Sequence, residues 1–248
     1  MNETEAIVLH GFDYRETSRI VRLATRDAGV VSAIAKGAKR PKSRFGHGLD
    51  LFTSGVAHLL IHPSRDLHTL TGFDATRARP ELAGSLARFA AAAALAELCI
   101  RFGSEDVQGS IHDELALGLD AIGRATDTEV VARTVAAAWR LVAELGFAPA
   151  LEHCAACHRA LDPAEPVRFG HRVGGALCTT CAPLAPGART LPPDARAILI
   201  GWVAGEGILA LEPTAARAHQ RLLREFLEEH LADGKILRAW TAWEGNPR

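Results

Sequence analysis

Four of the five cysteines in this 248-residue chain fall in two close pairs, Cys154 with Cys157 and Cys178 with Cys181, a C-x2-C-x20-C-x2-C spacing. A two-residue gap lets a tight turn aim both sulfurs at one ion, and two such turns joined by a short hairpin complete a tetrahedral thiolate site for zinc. Four thiolates leave no open position for water or substrate, so one bound Zn2+ would be structural. Redox chemistry at a single CxxC is the alternative, but it needs a thioredoxin-like βαβ setting, and the flanking sequence does not provide one. Glycines and prolines across 148–191 work against long regular elements. The large apolar residues there are few (Leu161, Val167, Phe169, Val173, Leu177), so the segment depends on its metal to fold. His153, His158 and His171 lie nearby but are surplus to a site that four cysteines already fill. Cys99, the fifth cysteine, sits in an apolar helical stretch and reads as a small core residue.

Around this segment the chain divides into a strand-rich part, 1–80, and a helical part, 81–248, which carries the cysteine segment 148–191 as an insert. Residues 6–9, 19–23, 30–34, 56–61 and 67–71 are rich in β-branched residues and Leu, and turn residues such as Gly11, Asp27 and Gly29 separate them. Five short strands in about eighty residues suggest a small barrel or a sandwich, with the five-stranded OB-fold barrel among the candidates. Helical spacing covers 82–102, 111–122 and 128–145, the last with Asp127 as a cap and Gly146 as a stop. Two more helices open at Pro192-Pro193-Asp194 and at Pro213-Thr214. Ile198, Leu199 and Trp202 point inward in the first of these, and Ala218, Leu222, Leu223, Phe226, Leu227 and Leu231 form the apolar face of the second. The fold class is therefore α+β.

Net charge is −1 for the whole chain, which at face value argues against binding nucleic acid by bulk charge. The sum hides an arrangement: 1–80 carries +4 and 81–248 carries −5. Within the first part, Lys36, Lys39, Arg40, Lys42 and Arg44 place five cations in nine residues with no acid among them. A loop of cations on a barrel rim can neutralise phosphates. A charge run can equally be a solvated loop. Arg15, Arg19, Arg22 and Arg26 extend the field across the first hairpin, and alternation turns Arg22 away from Val21 and Leu23, towards solvent. Phe12, Tyr14, Phe45, Phe52 and Phe73 are candidates for stacking on bases, although most should belong to the core.

No phosphate loop, GxGxxG, HExxH or GxSxG motif is present, and no spacing singles out an acid–base pair, so a non-enzymatic role is expected. The acidic start Met1-Asn-Glu-Thr-Glu5 lacks the basic region of a secretory signal. The longest uncharged stretch, sixteen residues from Val173 to Ala188, is too short and too rich in Gly and Pro to span a membrane. A cytoplasmic protein without membrane contact is expected. Three functional classes remain: a DNA-binding protein, a zinc-containing interaction scaffold whose acidic C-terminal part with Trp240 and Trp243 meets a protein partner, and a zinc-dependent enzyme.

The order of parts, with Glu5-Ala-Ile-Val-Leu9, Tyr14-Arg-Glu-Thr-Ser18, Arg26-Asp-Ala-Gly29-Val30, Ala35-Lys36-Gly37-Ala38-Lys39-Arg40, Leu49-Asp50-Leu51-Phe52, Phe147 and the two CxxC pairs, resembles the RecO family of bacterial DNA repair proteins over essentially the full length. Ala24-Thr25-Arg26-Asp27 and Asp50-Leu51 depart mildly from the family's Phe-Thr-Arg-Glu and Gln-Pro. The resemblance implies an N-terminal OB-fold, binding of single- and double-stranded DNA, annealing of complementary strands, and loading of the RecA recombinase together with RecR. It also implies binding to the tail of single-stranded DNA-binding protein (SSB), and a place at the bacterial nucleoid.

Overall fold

A computed structural model describes residues 2–62, 64–103, 110–206, 211–230 and 237–245. The chain packs as two compact units, Met1–Arg124 with Arg238–Arg248, and Ala125–Leu237. The first unit thus joins the strands to the first helices and to the C-terminal residues.

In the first unit, β1 (Asn2–Tyr14), β2 (Ser18–Thr25), β3 (Val30–Ala35), β4 (Ser54–Leu60) and β5 (Leu67–Arg77) close a barrel in the order β1-β2-β3-β5-β4. All pairings are antiparallel except β3 with β5, as the long connection between β3 and β4 demands. The alternation that defines these strands is visible in burial: on β4, Gly55, Ala57 and Leu59 face inward while Val56 and His58 are part-exposed. The interior is filled by small and medium side chains, among them Ala6, Val8, Val21, Leu23, Ala33, Ala35, Leu59 and Leu70. Phe45 and Leu49, from the β3–β4 connection, join that core. This is the five-stranded OB-type barrel.

The helical stretch expected over 82–102 is broken at its start. α1 (Pro80–Ala83) stops at Gly84, Ser85 is extended, and α2 (Leu86–Phe102) begins anew. α2 buries Ala91, Ala92, Ala94, Leu95, Leu98 and Cys99. Burial pushes the Cys99 thiol up to about 12, which leaves it a protonated, unreactive core group. α3 (Ser110–Arg124) follows. The C-terminal α7 (Arg238–Trp243) returns to α2, where the Glu97 carboxylate accepts the N–H groups of Arg238, Ala239 and Trp240 at 2.9, 2.8 and 3.1 Å. One side chain thus satisfies three orphan donors of a helix start. Trp240 is buried and packs edge-on against Trp243, so it is a packing residue of this unit and no open docking surface.

The second unit contains α4 (Val130–Val142), α5 (Pro193–Ala204), α6 (Pro213–His230) and a small sheet in the order β7-β6-β8, with β6 Val167–Gly170, β7 Gly175–Leu177 and β8 Arg189–Leu191. α4 starts at a Glu129 cap rather than at Asp127, and a wider turn carries the chain to Gly146, whose φ is +87°. On α6 it is Ala216, not Ala218, that is buried beside Leu222, Leu223, Phe226 and Leu227, and Leu231 lies outside the described residues. Phe226 joins the layers: its ring lies 5.1 Å from Trp139 of α4 and 6.2 Å from Phe169 of β6. No helix among the described residues is long and apolar enough to cross a membrane.

Two buried polar groups generate predictions. The Arg79 guanidinium, whose side chain is 2% exposed, donates to Asp120 (2.7 Å), to the Phe52 carbonyl (2.6 Å) and to Ser54 Oγ (2.8 Å). Arg79→Met strands the Phe52 carbonyl and Ser54 Oγ, leaves Asp120 only its Arg77 contact, and should destabilise the first unit by about 3 kcal/mol. Arg77→Met removes an exposed contact to the same Asp120 and should cost less than about 1 kcal/mol; urea unfolding distinguishes the two. His219 is buried against the Trp202 ring, and burial depresses its pKa from 6.5 to about 4. The unfolded chain therefore takes up a proton that the folded one refuses. The stability held above about pH 6.5 should be lost as pH falls towards 4, and His219→Leu should remove close to one proton from the unfolding uptake in that window.

Candidate nucleic-acid interface and metal centre

The four cysteines sit on two turns that distant segments bring together. Ala150 bridges Gly175 in parallel, with Ala176 donating to the Ala150 carbonyl (2.7 Å) and Ala155 donating to the Ala176 carbonyl (2.8 Å). A Cβ on Gly175 would fall 2.2 Å from the Ala150 carbonyl oxygen, so only glycine permits this approach. The first turn is closed by His158 N–H to the Cys154 carbonyl (2.8 Å), with His158 in the left-handed region at φ +61°. In the second turn, Cys181 and Ala182 donate to the Cys178 carbonyl at 3.1 and 2.9 Å.

All four Sγ atoms lie within 4.8 Å of one another. The Cys157 and Cys178 sulfurs are 3.8 Å apart. A tetrahedron with zinc–sulfur bonds of about 2.3 Å has edges of about 3.8 Å, so the donor set and its size fit a metal ion. The electrostatics agree. Backbone donation from Cys181 draws the Cys178 thiol down to about 6, whereas the Cys178 and Cys157 sulfurs push Cys181 up to about 12. Burial works to raise Cys154, but N–H groups of Cys178, Cys157 and Ala156 together outweigh it and lower that thiol. Four sulfurs this close cannot all ionise without a cation among them. The Cys178 sulfur holds the Arg159 guanidinium above its ordinary range, a neighbour that sequence reading missed and only the fold of the first turn provides. His153, His158 and His171 are not in the cluster; His171 pairs with Glu225 instead.

The cations of the 36–44 connection lie beside the first hairpin turn. β1 and β2 are joined by the turn Arg15–Thr17, with Arg15 in the left-handed region at φ 54°. The β3–β4 connection leaves β3 at Lys36, and the Lys39 N–H donates to the Thr17 carbonyl at 3.0 Å, which lays the connection against the turn. Phe45, 3% exposed, anchors the connection in the barrel core, so Lys36, Lys39, Arg40, Lys42 and Arg44 ride on a fixed segment. All five are exposed. Among the described residues, Lys36, Arg40, Lys42 and Arg44 have no acidic partner within ion-pair distance. Lys39 and Arg19 both meet Asp13, at 2.7 and 3.8 Å, and Lys39 in turn holds the Asp13 carboxyl below its ordinary range. Asp13 was not among the sequence candidates. The signal was there, since a three-residue turn starting at Arg15 places residue 13 opposite residue 19.

Two arginines of the expected field lie elsewhere. Arg22 does face away from the barrel interior, but α2 covers that side and the Arg22 guanidinium donates to the Ile100 carbonyl at 3.1 Å. Arg26 is held by Glu5 and Asp113. Arg15 lies over the Tyr14 ring, 5.3 Å from its centroid. Of the aromatic candidates, Phe45, Phe52 and Phe73 are buried, whereas Phe12 is 46% exposed on β1 and Tyr14 is part-exposed.

Residues 1–79 match the family model "Recombination protein O N terminal", and residues 83–237 match "Recombination protein O C terminal". The chain is 37% identical over 233 residues to the DNA repair protein RecO of Anaeromyxobacter sp. (strain Fw109-5), covering 91% of this chain and 89% of that one. It is 32% identical over 243 residues to the DNA repair protein RecO of Nocardioides sp. (strain ATCC BAA-499 / JS614), covering 93% and 94%. The RecO protein of Rubrobacter xylanophilus is also 32% identical, over 224 residues. With both family models matched in order along nearly the whole length, the chain belongs to the RecO family of DNA repair proteins.

Proposed function

We propose that this chain is a non-enzymatic recombination mediator that binds single- and double-stranded DNA on the cationic end of its barrel, anneals complementary strands, and works with RecR and SSB to load RecA. The observation that carries the DNA reading is local charge. Residues 11–19 and 36–44, brought together by the Lys39–Thr17 bond, hold seven Lys or Arg against two acids. Phosphates would be neutralised there by exposed side chains on a backbone segment that the fold holds in place, and exposed Phe12 and part-exposed Tyr14 offer faces for bases. Annealing needs two polyanions brought within a Debye length, roughly 10 Å at 0.1 M salt. It makes and breaks no covalent bond, which agrees with a chain that shows no catalytic constellation in its sequence. RecR, RecA and SSB enter this reading through the family.

Arg40→Ala combined with Lys42→Ala removes two exposed cations without disturbing an ion pair. The double variant should weaken DNA binding and flatten its salt slope by roughly 1.4 on single strands and 1.8 on duplex. Anisotropy titrations across a salt series give both numbers, and an unchanged slope would remove the loop from the interface.

Cys154, Cys157, Cys178 and Cys181 would hold one Zn2+, which when bound supplies a closed structural cross-link between the two turns. Elemental analysis of freshly prepared, reduced protein should give close to one zinc per chain. Cys178→Ser should lower that occupancy and the melting temperature of the second unit together; a stoichiometry near zero in the wild type would overturn the assignment.

A further inference from the structure

Asp13 stands in the middle of the cationic face. It lies at the end of β1, directly opposite Arg19 on β2. Its two carboxylate oxygens go to different cations: Oδ2 to Lys39 Nζ at 2.7 Å and Oδ1 to Arg19 Nε at 3.8 Å. The three side chains are each about a third or more exposed, at 63% for Asp13, 35% for Lys39 and 33% for Arg19. The Asp13 carboxylate and Lys39 therefore face solvent, while the Arg19 Nε atom beneath them is buried. Two oxygens of one anion bridging two cations is also how a backbone phosphate engages a pair of basic side chains.

We propose that Asp13 is a built-in phosphate mimic, an intramolecular occupant of the Lys39–Arg19 site that a DNA phosphate must displace. This rests on the reading that the cationic face takes the DNA backbone. Asp13 keeps the two cations oriented while the protein is free, and it competes for them once DNA arrives. The result is weaker and more readily reversed binding than the cation count implies. Reversibility suits a protein that must leave a strand after pairing it, since affinity differences within one interface are set mostly by the rate of release.

The turn carries its own control. Glu16 is the other acid there, and among the described residues it has no ion pair with Lys39 or Arg19. Asp13→Asn and Glu16→Gln thus remove the same charge from the same turn, but only the first frees the two cations. With an oligo-dT of thirty nucleotides as probe, Asp13→Asn should tighten binding about fivefold or more at 100 mM salt and steepen the salt slope by roughly 0.7, one additional neutralised phosphate on a single strand. Dissociation should slow correspondingly. Glu16→Gln should change affinity less than about twofold. In a Lys39→Ala background, the gain from Asp13→Asn should shrink to the Glu16→Gln level, a coupling that a purely structural role would not produce. Asp13→Asn binding no tighter than Glu16→Gln, or binding more weakly than wild type, overturns the mimic. If in that case Arg40→Ala with Lys42→Ala still weakens binding, the DNA face stands and only the role of Asp13 falls. If no variant changes binding, the DNA face falls as well.

Discussion

The buried Arg79 guanidinium is the fixed point of the first unit. A cation with its side chain 2% exposed is tolerated only where its donors are answered, so Asp120 of α3, the Phe52 carbonyl and Ser54 are fixed relative to one another. Phe52 takes a left-handed conformation, φ 65°, that a phenylalanine adopts only when its surroundings over-determine it. Phe52 N–H donates to the Val8 carbonyl and Val8 N–H to the Thr53 carbonyl, which pins the end of the β3–β4 connection to β1. Near its start the Lys39–Thr17 bond pins the same connection to the hairpin turn, and Phe45 secures its middle in the core. A run of cations that would cost conformational entropy to order on a free loop is thereby held in place before any ligand arrives.

The parts of this architecture that depend on local pattern could be read from sequence. Runs of β-branched residues and Leu between turn residues located all five strands, and the cysteine spacing located the four sulfurs that the fold gathers. Long-range packing could not be read in this way. Alternation reports on which side of a sheet a residue lies but not what covers that side. Arg22 therefore pointed away from the barrel core, as expected, and met the Ile100 carbonyl instead of water. The return of α7 to α2 depends on Glu97 capping a helix 141 positions later, which no periodicity encodes. The break at Gly84-Ser85 was hidden because alanine-rich sequence suits a helix on either side of it.

The cysteine segment draws on a hydrophobic core and on a cluster of four sulfurs that could hold a metal ion. Its strands are three or four residues long, too short to form a stable sheet alone. Phe169 reaches out of that sheet to Phe226, and through it to Trp139, so one side of the segment is held by the helices. The sulfur cluster lies on the other side, with only Leu177 and a few part-buried neighbours around it. An ion held by the four cysteines would then tie the two turns together, while the core holds the sheet to the helices.

A count of charges cannot say which of them are available. Whole-chain neutrality hides a basic barrel and an acidic remainder, and the basic barrel in turn hides which of its cations are already engaged. Arg22 serves a helix carbonyl, Arg26 serves Glu5 and Asp113, Arg79 serves the barrel end, and Lys39 and Arg19 share Asp13. Lys36, Arg40, Lys42 and Arg44 are exposed with no acidic partner among the described residues, and three of the chain's four lysines lie between 36 and 42. A chain that otherwise uses arginine, the residue that makes fixed bidentate contacts, places at this one surface a cation that makes mobile point contacts. On the proposed DNA face, such contacts would neutralise a backbone without fixing its register, which the proposed annealing of two strands requires.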